Sequence, residues 1–311
     1  MKVLVTGGAG FIGHHLVQGL LDRGDEVRVL DDLSSGQVER LRPVLDRITF
    51  VEGSILDPSA LDRAVAGVEV VLHEAALASV VRSVADPQGT NEVNVTGTIE
   101  VLLAAARHGA RRVVFAGSSA VYGIPARLPC SEDQRAEPTS PYGVSKLAGE
   151  LYLHAIGASH GLETVALRYF NVYGAGQDPA SEYAAVIPKF VTAVLRGATP
   201  TIFGDGSISR DFVHVSDVVA ANLLAASASA PSGLTCNIAS GSETSLLELL
   251  DAVCAAVGRT VEPTIGPARP GDIPTSVADV SVARRELGYA PTVALREGIA
   301  QTVDWYRINQ T

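Results

Sequence analysis

The stretch Thr6-Gly-Gly-Ala-Gly-Phe-Ile-Gly13 decides the fold. It follows the apolar run Lys2 to Thr6, which predicts a buried strand, and it opens a helical pattern from Phe11 to Arg23. Its glycines permit a tight turn, close approach of the backbone to a pyrophosphate group, and packing of the helix on the strand. The positive end of the helix dipole favours an anionic ligand at the same place. The stretch therefore predicts a dinucleotide site between the first strand and the first helix.

A second strand supports this interpretation. The run Glu26 to Leu30 is followed by Asp31 and Asp32, about twenty residues beyond the glycine turn, where a carboxylate can accept hydrogen bonds from the adenosine ribose. Asp31 would repel a 2′-phosphate, and no arginine immediately follows it. The predicted cofactor is therefore NAD and not NADP.

Short apolar runs continue to alternate with helical patterns up to about residue 170. Such alternation predicts βαβ units and a parallel sheet, so the expected fold class is α/β, with a doubly wound Rossmann sheet over residues 1–170. After Asn171 prolines are scattered among shorter elements, which predicts a smaller α/β substrate-binding domain over residues 171–311. Within it, Asp211 to Ala226 has a helical pattern and Thr235 to Ala239 the pattern of a buried strand. We expect residues 211–239 to return to the first domain.

The composition limits the possible partners. The chain has 311 residues, 47% of them apolar and 19% charged, with a net charge of −10, which argues against nucleic acid or an anionic membrane as a partner. Three widely spaced cysteines favour reduced thiols over disulfides or a metal site, and no apolar stretch reaches membrane-spanning length. The run Met1 to Thr6 leads directly into the glycine turn, so no secretory signal is expected. We predict a cytoplasmic protein without a metal ion.

Tyr142 and Lys146 are the candidate catalytic pair. Four residues apart on a predicted helix, from Tyr142 to Ser159, their side chains stack on one face. An ammonium group beside the phenol is expected to lower the phenol pKa from its usual value of about 10 toward neutrality. Proton transfer of this kind fits dehydrogenases, reductases, dehydratases and epimerases alike.

The order of several further motifs narrows the choice. The glycine turn is followed by Phe115-Ala-Gly-Ser118-Ser-Ala-Val-Tyr-Gly123, the Tyr142/Lys146 pair, Leu167-Arg-Tyr-Phe-Asn171-Val-Tyr-Gly174, and Ser209-Arg-Asp-Phe-Val-His-Val-Ser-Asp217. In this order the chain resembles the extended short-chain dehydrogenase/reductase family, and within it the UDP-sugar 4-epimerases, from Lys2 to Tyr306. The resemblance implies an isomerase with tightly bound NAD, in which Ser118 binds the sugar hydroxyl that is oxidised and Tyr142 and Lys146 are the other catalytic residues.

The motif and the resemblance together predict two binding sites. The predicted cofactor site consists of Gly7, Gly10, Phe11, Ile12, Gly13, Asp31, Asp32, Ser34, Ser35, Gly36, Ser54, Ile55, Ala75, Ala76, Tyr142, Lys146 and Phe170. The resemblance places the UDP-sugar against Ser118, Ser119, Tyr142, Asn171, Val186, Ile187, Thr201, Phe203, Arg210, Arg269, Asp272 and Ser276. Arginines suit the diphosphate because their planar fork makes paired hydrogen bonds to phosphate oxygens.

The resemblance also bears on the substrate. Ser276 stands where epimerases restricted to UDP-glucose and UDP-galactose carry a tyrosine, and a serine leaves space for a 2-acetamido group. Gln177-Asp-Pro and Tyr183-Ala-Ala-Val-Ile-Pro-Lys189 resemble the N-acetylhexosamine-accepting group. The resemblance therefore implies interconversion of UDP-GlcNAc with UDP-GalNAc and of UDP-Glc with UDP-Gal, through a transient 4-keto sugar. It further implies a homodimer formed through the helices Val93 to His108 and Tyr142 to Ser159.

Three other functions compete with this one. A UDP-glucuronate 4-epimerase is disfavoured because Asp178 would repel a uronate. A sugar-nucleotide 4,6-dehydratase needs an acid and a base where this chain has Ser119 and Ala120. A non-catalytic dinucleotide sensor is disfavoured because the chain keeps Ser118, Tyr142 and Lys146.

Overall fold

The computed structural model describes residues 1–179, 185–227, 231–268 and 273–309. In chain order, the strands of these residues are β1 (Lys2–Thr6), β2 (Glu26–Asp31), β3 (Ile48–Glu52), β4 (Val70–His73), β5 (Arg112–Ser118), β6 (Glu163–Tyr169), β7 (Asn171–Tyr173), β8 (Thr201–Phe203), β9 (Ser209–Arg210), β10 (Phe212–His214), β11 (Leu234–Ile238), β12 (Thr244–Ser245), β13 (Thr264–Gly266) and β14 (Thr275–Ser276).

The α-helices of the same residues alternate with these strands. They are α1 (Phe11–Asp22), α2 (Pro58–Val65), α3 (Val80–Ala85), α4 (Pro87–Asn91), α5 (Gly97–Arg107), α6 (Pro141–His160), α7 (Val186–Arg196), α8 (Val215–Ser227), α9 (Leu246–Val257), α10 (Ser281–Leu287) and α11 (Leu295–Asn309). Two 3₁₀ segments, Val38–Arg47 and Ser119–Tyr122, and a π-helical segment, Glu92–Thr96, complete the regular structure.

Seven parallel strands form the central sheet, in the order β11-β6-β5-β4-β1-β2-β3. The order reverses at β1, which pairs with β2 on one side and β4 on the other. In open α/β sheets, ligands bind beyond the carboxyl ends of the strands at such a reversal. The predicted doubly wound α/β fold is confirmed, and its topology places a binding crevice beyond β1 and β4.

Helices cover both faces of this sheet because alternate strand residues point to opposite sides. Val3 and Val5 of β1 join the core that contains α1 and α8, whereas Leu4 joins the core that contains α2 and α5. All three side chains are completely buried. The strand β11 and the helix α8, both from beyond residue 171, pack with the sheet, and α7, α9 and α11 share a separate core. The predicted domain boundary at residue 170 stays a prediction.

Two predicted helices begin differently. The segment expected as one helix from Asp211 to Ala226 starts as β10, because Phe212–His214 pairs in parallel with Asn171–Tyr173 before α8 begins at Val215. The helix expected from Val93 begins with the π-helical segment, and α5 starts at Gly97. A β-carbon at Gly97 would lie 2.5 Å from Cδ1 of Ile55, so a larger residue would require the Ile55 side chain to move.

Candidate active site

The glycine turn between β1 and α1 leaves no room for side chains. Gly7 has a φ of +69°, and a β-carbon there would lie 2.8 Å from the backbone nitrogen of Ala75. A β-carbon at Gly13 would overlap the carbonyl oxygen of Gly7 and approach Cα of Gly8 at 2.7 Å. The turn is therefore a bare backbone surface at the start of α1, which is the surface that a pyrophosphate group requires.

A cavity of about 240 Å³ opens on this turn. Its wall includes thirteen of the residues predicted for the cofactor, namely Gly7, Gly10, Phe11, Ile12, Gly13, Asp31, Asp32, Ser34, Ser35, Gly36, Ile55, Ala75 and Ala76. Four predicted residues are not in that wall: Ser54, Tyr142, Lys146 and Phe170. The Ser54 hydroxyl instead accepts a hydrogen bond from Leu56 N at 3.2 Å, and Phe170 is buried near Tyr122.

Asp31 shapes the far end of this cavity. Its Oδ2 accepts from Ala9 N at 2.9 Å and its Oδ1 accepts from Leu33 N at 2.9 Å, which holds Leu33 at a φ of 57°. Burial raises the pKa of Asp31, while the two backbone hydrogen bonds lower it. Each carboxylate oxygen keeps a second lone pair, so it can still accept a hydrogen bond from a ribose hydroxyl. The glycine turn and this carboxylate fit the two ends of a dinucleotide.

The helix α6 carries the predicted catalytic pair. It begins at Pro141, after Ser140, whose hydroxyl accepts a hydrogen bond from Gly143 N at 3.1 Å. Lys146 Nζ donates to the carbonyl oxygen of Ala116 on β5 at 2.9 Å and lies 5.1 Å from the centre of the Phe115 ring. The helix therefore fixes Lys146 against the carboxyl-terminal part of β5, and Tyr142 lies one turn earlier on the same face.

The electrostatics of Tyr142 differ from the expectation. Burial raises the pKa of its phenol, a hydrogen bond with the Ser118 hydroxyl lowers it, and the charge of Glu74 raises it. The predicted lowering by Lys146 is wrong for the chain itself. Desolvation is the largest cause of the raised pKa, and burial also lowers the pKa of Lys146 to about 8.

A polar network positions the amino-terminal part of α6. Asn94 Oδ1 accepts from Leu77 N at 2.7 Å, and its Nδ2 donates to Ser145 Oγ at 3.0 Å. Ser83 Oγ accepts from Tyr142 N at 3.0 Å. These buried contacts tie the loop after β4 to the helix that carries the pair.

A second cavity, of about 580 Å³, lies among β7, α7, β8 and β9. Six of the residues predicted for the substrate line it: Asn171, Val186, Ile187, Thr201, Phe203 and Arg210. Arg269 and Asp272 lie outside the described residues. Ser118, Ser119 and Tyr142 are not in its wall, and Ser276 of β14 pairs in register with Arg210 of β9.

A cation lies in the wall of this cavity, whereas the acidic Asp178 lies outside it. Arg210 Nη1 donates to the carbonyl oxygens of Ser209 and Ile273, both at 2.7 Å, which fixes a cation in the wall. Asp178 is exposed and outside the wall, and its charge acts on Arg40. The expected repulsion of a uronate by Asp178 stays a prediction.

Sequence reasoning did not assign a role to Glu74. It lies in the wall of the cofactor cavity, and burial raises the pKa of its carboxyl to about 7. The available signal in the sequence was a carboxylate at the end of a strand, directly after His73, which is buried.

In the described ranges, no group of three or more His, Cys, Asp or Glu side chains could hold a metal ion. No helix in the described parts of the chain has the length and hydropathy needed to cross a membrane.

The model of the NAD dependent epimerase/dehydratase family matches residues 3–239. The chain therefore belongs to this family, which confirms the predicted family and the predicted cofactor, NAD.

Similar proteins of known activity narrow the enzyme class. A UDP-glucose 4-epimerase of Mycolicibacterium smegmatis is 45% identical over 99% of both chains. The crystal structure of UDP-glucose 4-epimerase from Thermotoga maritima with UDP-glucose is 38% identical and has a TM-score of 0.95 over 100% of both chains. UDP-N-acetylglucosamine 4-epimerase from Methanobrevibacter ruminantium, in complex with UDP-N-acetylmuramic acid, is also 38% identical with a TM-score of 0.95, over 100% of this chain and 99% of its own. The prediction of an NAD-dependent isomerase is confirmed.

Proposed function

We propose that this protein is a UDP-hexose 4-epimerase that inverts the C4 carbon of a neutral sugar through a 4-keto intermediate. The observation that carries the proposal is the hydrogen bond between the Tyr142 phenol and the Ser118 hydroxyl. Lys146 lies one turn after Tyr142 on α6. A phenolate at Tyr142 can take the proton of a substrate hydroxyl, become the neutral phenol, and later return the same proton, while the Ser118 hydroxyl holds the substrate oxygen. Such reversibility is what an epimerase needs.

The side chains of this site divide the proton chemistry between them. Tyr142 would accept the proton of the sugar C4 hydroxyl while Ser118 holds that hydroxyl in place. Lys146, fixed on the Ala116 carbonyl, would supply the positive charge that favours the phenolate. NAD, when bound at the glycine turn, supplies the hydride acceptor and donor for C4. Tyr142 would return the proton after the keto sugar has turned to present its other face.

The second cavity suits the UDP part of the substrate. Its wall combines the Arg210 guanidinium with the apolar side chains of Ile187 and Phe203, which match a diphosphate and a flat base. Ser276, next to Arg210 on the neighbouring strand, supports acceptance of N-acetylated sugars as well. We propose activity on both UDP-GlcNAc/UDP-GalNAc and UDP-Glc/UDP-Gal.

The two enzymatic alternatives rest on weaker observations. Elimination of water needs a carboxylic acid and a base, but the segment after β5 offers Ser119 and Ala120. The UDP-glucuronate alternative is disfavoured by the negative charge of Asp178, which would repel a uronate.

An exposed apolar face of α6 supports the proposed homodimer. Val144, Leu151 and Tyr152 are 53%, 60% and 44% exposed, and their spacing puts them on one face of the helix. Val81 and Val84 of the neighbouring α3 are also exposed. A second copy of the chain would cover this surface. The cytoplasmic location stays a prediction.

Tyr142→Phe tests the proposed function. It keeps the ring and removes the hydroxyl, so turnover of UDP-Glc and UDP-GlcNAc is expected to fall by a factor of at least about 10² to 10⁴, while bound NAD is retained. Tyr152→Phe is the matched control, since Tyr152 lies on the same helix but outside the walls of both cavities, and phenylalanine keeps the apolar ring on the surface proposed for the dimer. Epimerisation would be followed by chromatography of the nucleotide sugars. Full activity of the Tyr142 variant would remove the basis of the mechanism.

A further inference from the structure

Glu74 is an ionisable side chain in the wall of the cofactor cavity. It follows β4 directly, and its backbone N–H donates to the carbonyl oxygen of Thr6 on β1 at 3.2 Å. The next three residues, Ala75, Ala76 and Leu77, also line the cavity and are apolar. Of these four consecutive residues, Glu74 is therefore the only one with an ionisable side chain.

Hydrogen bonds from two other elements hold this carboxylate in place. The Tyr169 hydroxyl on β6 donates to Glu74 Oε1 at 2.8 Å. Asn222 Nδ2 on α8 donates to the Tyr169 oxygen at 2.7 Å and to Val218 O at 2.9 Å. The Asn222 amide donates to the Tyr169 oxygen, so the Tyr169 hydroxyl donates its own hydrogen to Glu74. Glu74 is therefore fixed as the acceptor.

The strands β4 and β5 pair in register at His73 and Phe115, so Glu74 and Ala116 follow at the same edge of the sheet, and the Ala116 carbonyl accepts the hydrogen bond of Lys146 Nζ at 2.9 Å. The charge of Glu74 therefore acts on both members of the catalytic pair. It raises the pKa of Lys146, against the burial that lowers that pKa to about 8, and it raises the pKa of Tyr142. Lys146 and the Tyr169 hydroxyl in turn lower the pKa of Glu74, which burial raises to about 7. Glu74 and Lys146 thus favour each other's charged form.

The other titratable groups packed around this pair do not carry a competing charge. Burial lowers the pKa of His73 to about 3, so its imidazole is neutral, and its ring nitrogens lie 2.7 Å from Thr6 Oγ1 and 3.0 Å from Thr98 Oγ1. Burial raises the pKa of Tyr169 well above its usual value and also raises the pKa of Cys236. Both are neutral at physiological pH, which leaves Glu74 as the counter-charge of Lys146.

A purely structural role explains this arrangement less well. A partly buried carboxylate has a desolvation cost, and an amide could accept the same hydrogen bond from Tyr169 without that cost. Buried groups that titrate near neutrality are concentrated at functional sites. The charge of Glu74, rather than its hydrogen bond alone, is the feature that needs a function.

We propose that Glu74 is a positioning residue for the catalytic pair, whose carboxylate, held by Tyr169, keeps the Lys146 side chain in its ammonium form above neutral pH. The inference rests on the proposed function, because it assigns Glu74 a part in the proton transfer by Tyr142. Glu74 itself exchanges no proton with the sugar. It acts through the charge of Lys146.

The lysine content of the chain allows a direct measurement. Lys2, Lys146 and Lys189 are its three lysines, so selective ¹³Cε-lysine labelling of the NAD-loaded enzyme gives three side-chain signals, and Lys146→Arg assigns the relevant one. In Glu74→Gln the Lys146 titration is expected to move to lower pH by roughly one unit. Glu132→Gln is the matched control. Burial also raises the pKa of Glu132, but Glu132 accepts from Asn237 N at 2.7 Å and is not in the wall of the cofactor cavity.

A second variant covers the case in which Glu74→Gln does not fold, as judged by circular dichroism. Tyr169→Phe removes the donor to Glu74 Oε1 and raises the pKa of Glu74, so the Lys146 titration is expected to move in the same direction by a smaller amount. An unchanged Lys146 titration in either folded variant, or an equal change in Glu132→Gln, would overturn the proposal.

Activity provides a separate readout. Because Lys146 would lose its proton at lower pH, the alkaline limb of the kcat profile of Glu74→Gln is expected to move to lower pH, with bound NAD retained. If the wild-type enzyme epimerises no UDP-sugar, the proposed function fails while the titration still decides the link between Glu74 and Lys146. If it epimerises UDP-sugars and the titration does not move, only the role of Glu74 fails.

Discussion

A buried ion pair attaches the catalytic helix to the sheet, and breaking it is expected to destabilise the protein strongly. Arg168 on β6 donates from Nε to Glu150 Oε2 at 2.9 Å and from Nη2 to Glu150 Oε1 at 2.6 Å. Its Nη1 donates to the Tyr122 hydroxyl at 2.9 Å. Glu150 lies one turn after Lys146 on α6, and both partners are only 5% exposed. The perturbation that we consider is Arg168→Met.

The expected magnitude follows from what the variant leaves behind. Methionine fills much of the volume of the arginine stem, so the loss comes from the charges and hydrogen bonds. The Glu150 carboxylate would remain buried without its bidentate partner, and removing one partner of such a pair costs about 3–5 kcal/mol of unfolding free energy. Replacing both partners, in Glu150→Met/Arg168→Met, removes the unpaired charge. The double variant is expected within about 1–2 kcal/mol of the wild type.

Urea unfolding of the NAD-loaded enzyme, followed by circular dichroism, would measure these differences from the transition midpoints. Because the pair fixes the helix that carries Tyr142 and Lys146, the single variant is also expected to lose turnover while it is still folded. A cost below about 1 kcal/mol for Arg168→Met, or a double variant as unstable as the single one, would refute the reasoning.

Two further outcomes test the two cavities. Gly13→Ala would force a β-carbon against the backbone of the glycine turn, so NAD affinity measured by calorimetry is expected to fall about 10- to 100-fold, or about 1.4–2.8 kcal/mol. In Gly19→Ala, on the same helix, the new β-carbon meets only the side chains of Val219 and Leu223 and no backbone atom, so NAD affinity is expected to stay within about twofold; equal losses would exclude the turn as the cause. Ser276→Tyr is expected to suppress turnover of UDP-GlcNAc and UDP-GalNAc while sparing UDP-Glc and UDP-Gal. Equal suppression of both pairs would contradict the role of Ser276 in admitting an acetamido group.

Sequence patterns predicted the fold well where a structural feature depends only on residues that are close together in the chain. The glycine turn, the alternation of strands and helices, and the four-residue spacing of Tyr142 and Lys146 depend on neighbouring residues and on helix periodicity. The first part of the segment Asp211 to Ala226 was misassigned because Phe212–His214 is held as a strand by Asn171–Tyr173, which is distant in sequence. No local pattern reports such a partner.

By itself, the sequence determined the doubly wound sheet, the bare turn for a dinucleotide, and the helix that stacks a tyrosine on a lysine. The tertiary structure decided which charges these groups meet. It placed Glu74 in the wall of the cofactor cavity, where Tyr169 donates a hydrogen bond to it, and it placed Lys146 where its Nζ donates to the Ala116 carbonyl. It also buried part of Tyr142, and the desolvation raises the pKa of its phenol. Spacing along a chain fixes which side chains share a face, but a pKa depends on desolvation and on charges from distant segments, which exist only after the chain has folded.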